Sequence, residues 1–126
     1  MKTLLLLLTI CTFSFTQAQD WKFAFENSIG IYYVKANTSD TAWIKIVSEK
    51  IEYFPTREIQ NPKIADGYEL ILYKFDCKSK KIGFVQSTVY SKDGTILNSF
   101  SNNHLKMEFA SHNSLAERLT NVFCTQ

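Results

Sequence analysis

The chain has 126 residues, of which 45% are hydrophobic, 14% aromatic and 21% charged. With four glycines and two prolines, this composition excludes collagen-like and intrinsically disordered chains and indicates one globular domain. Fourteen basic against twelve acidic residues leave a formal charge of +2, which is too small to indicate nucleic-acid binding through bulk electrostatics.

The first residues are typical of a secretory signal peptide. Lys2 supplies a positive charge, a short apolar run follows, and the small residues Thr16 and Ala18 mark a cleavage site. The apolar run is shorter than the ~20 residues that a membrane-spanning helix needs. We therefore expect residues 1–18 to be a signal peptide and residues 19–126 to form a single domain. That domain would be exported to the periplasm, cell surface or medium without a transmembrane anchor.

The sequence has three cysteines, and the predicted signal peptide accounts for the one that has no partner. Cys11 would be lost with it, because the residue before Cys11 is too large for a lipidation site. Cys77 and Cys124 remain, and in an exported chain such a pair is more typical of a disulfide than of a metal site or a nucleophile. A zinc site would add His104 and His112, but neither pair has the close spacing of zinc motifs. We predict a disulfide, no metal site and no cofactor.

The segment after the signal peptide has the residue pattern of β-strands. Period-2 alternation, turn clusters and an Asp-Gly hairpin signal divide it into six strands. Residues 55–66 hold both prolines and no clear period, so we predict the longest loop there. Short turns between successive strands indicate an antiparallel meander rather than βαβ units. The predicted strands begin near residue 21 and then cover residues 31–34, 42–54, 67–77, 82–90 and 95–100.

Alternation also assigns side chains to the two faces of this sheet. In the first strand, Trp21, Phe23 and Phe25 recur at every second position and are expected on one face. In the third strand, Ile44 falls on one face and Trp43 on the other.

The C-terminal segment changes to a helical period. A single apolar stripe runs along it. Ser114, followed three residues later by Glu117, is typical of a capping box at a helix start. Burying the stripe on a sheet gives an α+β domain, with about six antiparallel strands and one C-terminal helix packed on one face. The stripe consists of Leu115, Ala116, Leu119, Val122 and Phe123.

Several motifs occur in a characteristic order. A tryptophan opens the first strand, a tyrosine pair and a second tryptophan follow, and Phe75-Asp76-Cys77, a Tyr-x-x-Asp-Gly hairpin and a cysteine after the last helix complete the order. The chain thereby resembles the surface-adhesin protein E family of small exported bacterial β-rich domains. The resemblance implies an antiparallel sheet carrying one C-terminal helix, two bridged cysteines and an adhesin-like role.

Enzymatic function has little support in the sequence. Motifs for a serine nucleophile, a phosphate-binding loop or a metalloprotease helix do not occur, and the acidic residues are scattered. We therefore expect a non-enzymatic binding module that engages extracellular-matrix or envelope proteins. The alternative is a soluble periplasmic inhibitor or a small carrier of apolar ligands.

A single helix covers only part of one sheet face, so aromatic residues are expected on the other face or at its edge. Tryptophan and tyrosine are over-represented at recognition hot spots. A turn with three lysines could also meet an acidic partner. The alternative is that the rings only pack the core and shield the sheet, and that the lysines are only solvated. The candidate surface consists of Trp21, Tyr32, Tyr33, Trp43 and Tyr90, with the basic turn Lys78, Lys80 and Lys81.

Overall fold

A computed structural model describes residues 21–55 and 61–125, and the predicted signal peptide lies outside the described residues. The strands form one antiparallel sheet in which β1 to β6 follow chain order, while β7 also pairs with β5. This confirms the predicted meander with one C-terminal helix; β7 was missed because two residues are too few to show a period. The elements are β1 (Lys22–Glu26), β2 (Ile31–Ala36), β3 (Thr41–Tyr53), β4 (Lys63–Asp76), β5 (Lys81–Ser91), β6 (Ile96–Ser101), β7 (Glu108–Phe109) and α1 (Leu115–Cys124).

The predicted loop over residues 55–66 is too long. Strand β4 already begins at Lys63, which pairs with Tyr53 of β3. A register shift between Ser48 and Ile51 marks a β-bulge in β3, and the β3–β4 hairpin continues beyond it. The start of β4 lacks a clean alternation, so its strand character depends on pairing with β3, which the local pattern does not show.

A bulge also corrects the predicted faces of β1. Phe23 pairs with Tyr33 and Phe25 with Tyr32, so Ala24 is the extra residue. Phe25 is 5% exposed and stacks on Tyr32, whereas Phe23 is 63% exposed and meets the ring of Tyr33 edge-on. The prediction that Phe23 and Phe25 share a face is therefore wrong.

Helix α1 packs on one face of the sheet. Leu119 of α1 is 3% exposed, and Phe123 stacks on Phe75 of β4 with 4.5 Å between ring centroids. Burying a side chain of this size contributes about 1.5–3 kcal/mol, so the stripe holds the helix to the sheet. Leu115 is 38% exposed, so the predicted stripe packs less closely at the helix start. The buried cluster consists of Phe25, Tyr32, Val34, Ala42, Ile44, Phe75 and Leu119.

The predicted capping box starts α1, with one difference. The Ser114 hydroxyl accepts a hydrogen bond from the backbone N–H of Glu117 at 3.1 Å. The Glu117 carboxylate accepts from the backbone N–H of Asn113 at 3.3 Å, one residue before the cap. The first bond satisfies a backbone N–H that has no helical partner because it lies in the first turn. The second satisfies the backbone N–H of the residue just before the cap.

The predicted disulfide joins the two layers. Cys77 follows the last residue of β4, and Cys124 is the last residue of α1. The Cα atoms lie 5.7 Å apart, and the bond closes a loop between residues separated by 47 positions. The pair is confirmed, and it fixes the end of the helix beside the end of β4.

We expect the double variant Cys77→Ser/Cys124→Ser to lose about 4 kcal/mol of unfolding free energy, because the open chain regains the entropy that a long closed loop removes. Urea denaturation followed by circular dichroism measures the loss. Wild-type protein in excess reductant is the control and should match the variant. Equal midpoints for the oxidised and reduced wild type would contradict a stabilising bridge.

Candidate functional site

The sheet face opposite α1 carries three rows of side chains that run across the strands. Residues directly opposite each other in an antiparallel sheet point to the same face, so the register defines each row. We call these rows, together with Trp21, the aromatic face. The rows are Lys35, Trp43, Leu72, Gln86 and Ser101; then Phe23, Tyr33, Lys45, Leu70, Thr88 and Ser99; then Glu26, Ile31, Val47, Tyr68, Tyr90 and Ile96.

Within the described part of the chain, no second layer packs over these rows. Leu105 and Met107 approach this side only beyond the first row, at Gly83 of β5. A Cβ atom at Gly83 would lie 2.6 Å from the Met107 sulfur and 2.8 Å from the Leu105 side chain. The segment that contains Leu105 and Met107 thus covers one end of the sheet and leaves the three rows uncovered.

Four of the five predicted aromatic residues come together on this face. Trp43, Tyr33 and Tyr90 each belong to a different row, and Trp21 lies between two lysines of the face. All four side chains are half-buried, because neighbouring rings and lysines shield them. The face is therefore an ordered, partly dehydrated surface.

Lysines and aromatic rings alternate across the strands. The Lys45 ammonium lies 5.7 Å from the Trp21 ring centroid and 4.9 Å from that of Tyr68. Lys35 lies 5.8 Å from Trp21, and the Tyr68 ring stacks on Tyr90 at 4.8 Å. Such cation–π contacts contribute about 0.5–1 kcal/mol at exposed sites. The candidate surface omitted Lys35, Lys45 and Tyr68, although Lys45 lies two residues after Trp43 in β3 and so shares its face.

Tyr32 is the exception, and its place on the candidate surface was wrong. It is 1% exposed and stacks on Phe25 beneath α1. Tyr32 and Tyr33 are consecutive in β2, so their side chains must point to opposite faces. The hydroxyl of Tyr32 forms no hydrogen bond with any residue that the structure describes.

The basic turn lies apart from the aromatic face. Lys78 and Lys80 are exposed in the β4–β5 turn, beside the disulfide, and Asp76 accepts the backbone N–H of Lys78 at 3.1 Å. The Lys81 ammonium lies 4.7 Å from the ring centroid of Phe109. Along β4 four ladder pairs separate the first row from the turn, so these lysines form a separate charged tip.

A groove with a volume of about 1000 Å³ lies at the opposite end, between the β1–β2 turn and the bulged part of β3. Two lysines, five carboxylates and five aliphatic side chains line it, so the lining is of mixed polarity. Among the described residues, no three His, Cys, Asp or Glu side chains are grouped to hold a metal ion. The five carboxylates belong to Glu26, Glu49, Glu52, Asp66 and Glu69.

Glu69 lies where this groove meets the helix-covered face. It pairs with Ile46 in the ladder, and burial raises the pKa of its carboxyl above the ordinary value of 4.5. Burial, the Glu69 charge and Tyr32 together raise the pKa of Tyr73 to about 12. Glu69 has no ion pair with the described residues, so its charge is destabilising in the folded protein.

Comparison with known proteins decides the family. The profile of the family described as surface-adhesin protein E matches residues 21–125. The chain belongs to the surface-adhesin protein E family. Searches of curated proteins and of solved structures gave no match. The match confirms the resemblance seen in the motifs.

Membership in the surface-adhesin protein E family indicates an adhesin-like surface protein rather than an enzyme. Together with the Cys77–Cys124 disulfide, it indicates an exported or surface location, since structural disulfides persist in oxidising compartments. No helix in residues 21–55 and 61–125 is long and apolar enough to span a membrane.

We expect Tyr32→Phe to raise the unfolding free energy by about 1 kcal/mol, because it keeps the ring and removes a buried hydroxyl that has no hydrogen-bond partner among the described residues. Thermal and urea unfolding measure the change. Tyr33→Phe, on the aromatic face, is the matched control and should change stability less. A clear loss of stability in Tyr32→Phe would show that the hydroxyl is satisfied.

We expect Glu69→Gln to be more stable than wild type at pH 7 and equally stable near pH 4. The native state binds the Glu69 proton more tightly than the unfolded chain, so wild-type stability falls as pH rises from about 4.5 through the raised native pKa. The glutamine of the variant does not titrate, so the variant does not lose stability in this way as pH rises. Urea unfolding at several pH values tests it, with exposed Glu49→Gln as control. A pH-independent difference between Glu69→Gln and wild type would contradict the assignment.

Proposed function

We propose that the protein is a non-enzymatic exported binding module that contacts a protein of the host extracellular matrix or of the cell envelope through its aromatic face. The observation that carries the proposal is the gathering of Trp21, Tyr33, Trp43, Tyr68 and Tyr90 on the sheet face opposite the helix. The proposal includes removal of the leader after residue 18.

The physical state of the face supports this role. Rings such as Tyr68 and Tyr90 are already stacked, so ordering them on binding costs little side-chain entropy. Tryptophan and tyrosine combine a large apolar area with a polar atom, which suits them to protein recognition.

The chemistry of the chain gives less support to a hydrolase. The disulfide uses both Cys77 and Cys124, so neither supplies a thiolate nucleophile. His112 is exposed and lies 3.5 Å from the Glu117 carboxylate, within the residues that start α1. A catalytic histidine would need to orient toward a nucleophile and a bound substrate.

We expect Trp43→Ala and Trp21→Ala each to weaken binding to immobilised basement-membrane extract by about 30-fold, the effect of losing a hot spot worth about 2 kcal/mol. Biolayer interferometry with the oxidised domain measures the affinity. Circular dichroism and urea midpoints verify that each variant is folded.

Two controls separate this face from other surfaces. Phe54→Ala removes an aromatic ring that is 47% exposed and lies outside the rows, and it should leave binding unchanged. The triple variant Lys78→Ala/Lys80→Ala/Lys81→Ala should also bind normally. Loss of binding only in the triple variant would assign the function to the basic turn and overturn the proposal.

A further inference from the structure

The charges of the aromatic face are unevenly placed. Lys35 and Lys45 lie beside Trp21 on the neighbouring strands β2 and β3. The one carboxylate in the rows, Glu26, is at the outer end of the third row, on the edge strand β1. Within the rows, the lysines therefore lie beside the aromatic rings, while the one carboxylate is at a corner that also lines the groove.

Lys45 is held in place by rings on two sides. Its ammonium lies 4.9 Å from the Tyr68 centroid and 5.7 Å from the Trp21 centroid. Lys45 is half-buried and forms no ion pair with any residue in the described ranges. An ammonium has three N–H donors, and ring faces attract it without supplying a negative charge. An incoming carboxylate would thus meet an ordered cation in partly dehydrated surroundings, where attraction is stronger than in bulk water.

The neighbouring cation differs in this respect. Lys74 follows Leu72 on the same side of β4, just beyond the first row, and its ammonium lies 3.6 Å from the Asp40 carboxylate. Its charge is already compensated by the protein. Lys45 is therefore the better contact for an anionic group of a partner.

We infer that the aromatic face binds a polypeptide segment that carries Asp or Glu carboxylates between apolar side chains, with one carboxylate on Lys45. The inference rests on the proposed function, because it takes the aromatic face as the site. Between the rings lie aliphatic side chains such as Val47, Leu70 and Leu72, which suit apolar side chains of a partner. The lysines are too few for a polyanion such as a nucleic acid, whose affinity depends on many simultaneous charge contacts.

The experiment uses the oxidised domain, and the probe is a synthetic peptide in which single glutamates stand between leucine and tyrosine residues. Biolayer interferometry compares wild type with Lys45→Gln, Lys45→Met and Lys45→Arg. We expect the two neutral variants to bind at least about tenfold more weakly and the arginine variant to bind nearly as well as wild type, because the charge is what the probe recognises. Lys45→Met keeps an apolar stem between the rings, so it separates loss of charge from loss of packing.

Lys50→Gln is the matched control, since Lys50 is an exposed lysine of the same strand outside the rows. It should bind like wild type. Raising NaCl from about 50 to about 500 mM should weaken wild-type binding and leave the binding of Lys45→Met nearly unchanged, because salt screens an accessible ion pair. Urea midpoints for every variant verify folding.

Several results would overturn the inference. Wild-type affinity in the neutral Lys45 variants would show that the charge of Lys45 does not contribute to binding. Equally tight binding of heparin with the same dependence on Lys45 would indicate a polysaccharide ligand instead. The proposed function fails separately, if Trp43→Ala leaves binding to basement-membrane extract unchanged. If Trp43→Ala weakens that binding but salt and Lys45→Met do not, the aromatic face is the site and the acidic partner is wrong.

Discussion

The bond between Cys77 and Cys124 helps to determine which side of the sheet the helix covers. It fixes the end of α1 beside the end of β4, and the nearby stack of Phe123 on Phe75 places the helix against the face to which Phe75 belongs. The side chains of the opposite face, the aromatic face, therefore lie on the side of the sheet that α1 does not cover. A covalent constraint at one end of the sheet thus divides the molecule into a covered core face and an open aromatic face.

The open face needs protection from water even without a second layer. An exposed sheet face rich in tryptophan and tyrosine would be prone to unspecific association. Here Lys35 and Lys45 lie over Trp21, and Tyr68 packs between Lys45 and Tyr90, so each ring is partly covered by a neighbour. The lysines keep the surface soluble while their stems and charges shield the rings. Under the proposed function, stability and recognition therefore depend on the same contacts.

The sequence predicted the order of the strands, the helix, its cap and the disulfide, because each has a local signal such as alternation, a capping pair or paired cysteines. It did not predict the bulge at Ala24, which depends on how β1 pairs with β2 and which separates Phe23 from Phe25. It placed Tyr32 and Tyr33 together on the candidate surface, although consecutive strand residues point to opposite faces. The cation–π contact of Lys45 with Tyr68 could not be predicted, because the β3–β4 register decides which side chains become neighbours.

The groove end of the sheet and the aromatic face each hold a partly buried charge, but in different ways. At the groove end, Glu69 is partly buried and has no ion pair with a described residue. Burial raises the pKa of its carboxyl, so ionised Glu69 lowers the folding stability there. On the aromatic face, Lys45 has aromatic rings as neighbours, which attract a cation, so its charge can be held in place at little loss of stability. A positive charge held by rings is available to a partner without first breaking an internal ion pair, as Lys74 would have to do with Asp40. This difference is the reason why the proposed acidic partner is placed on Lys45 rather than on the exposed lysines of the turn.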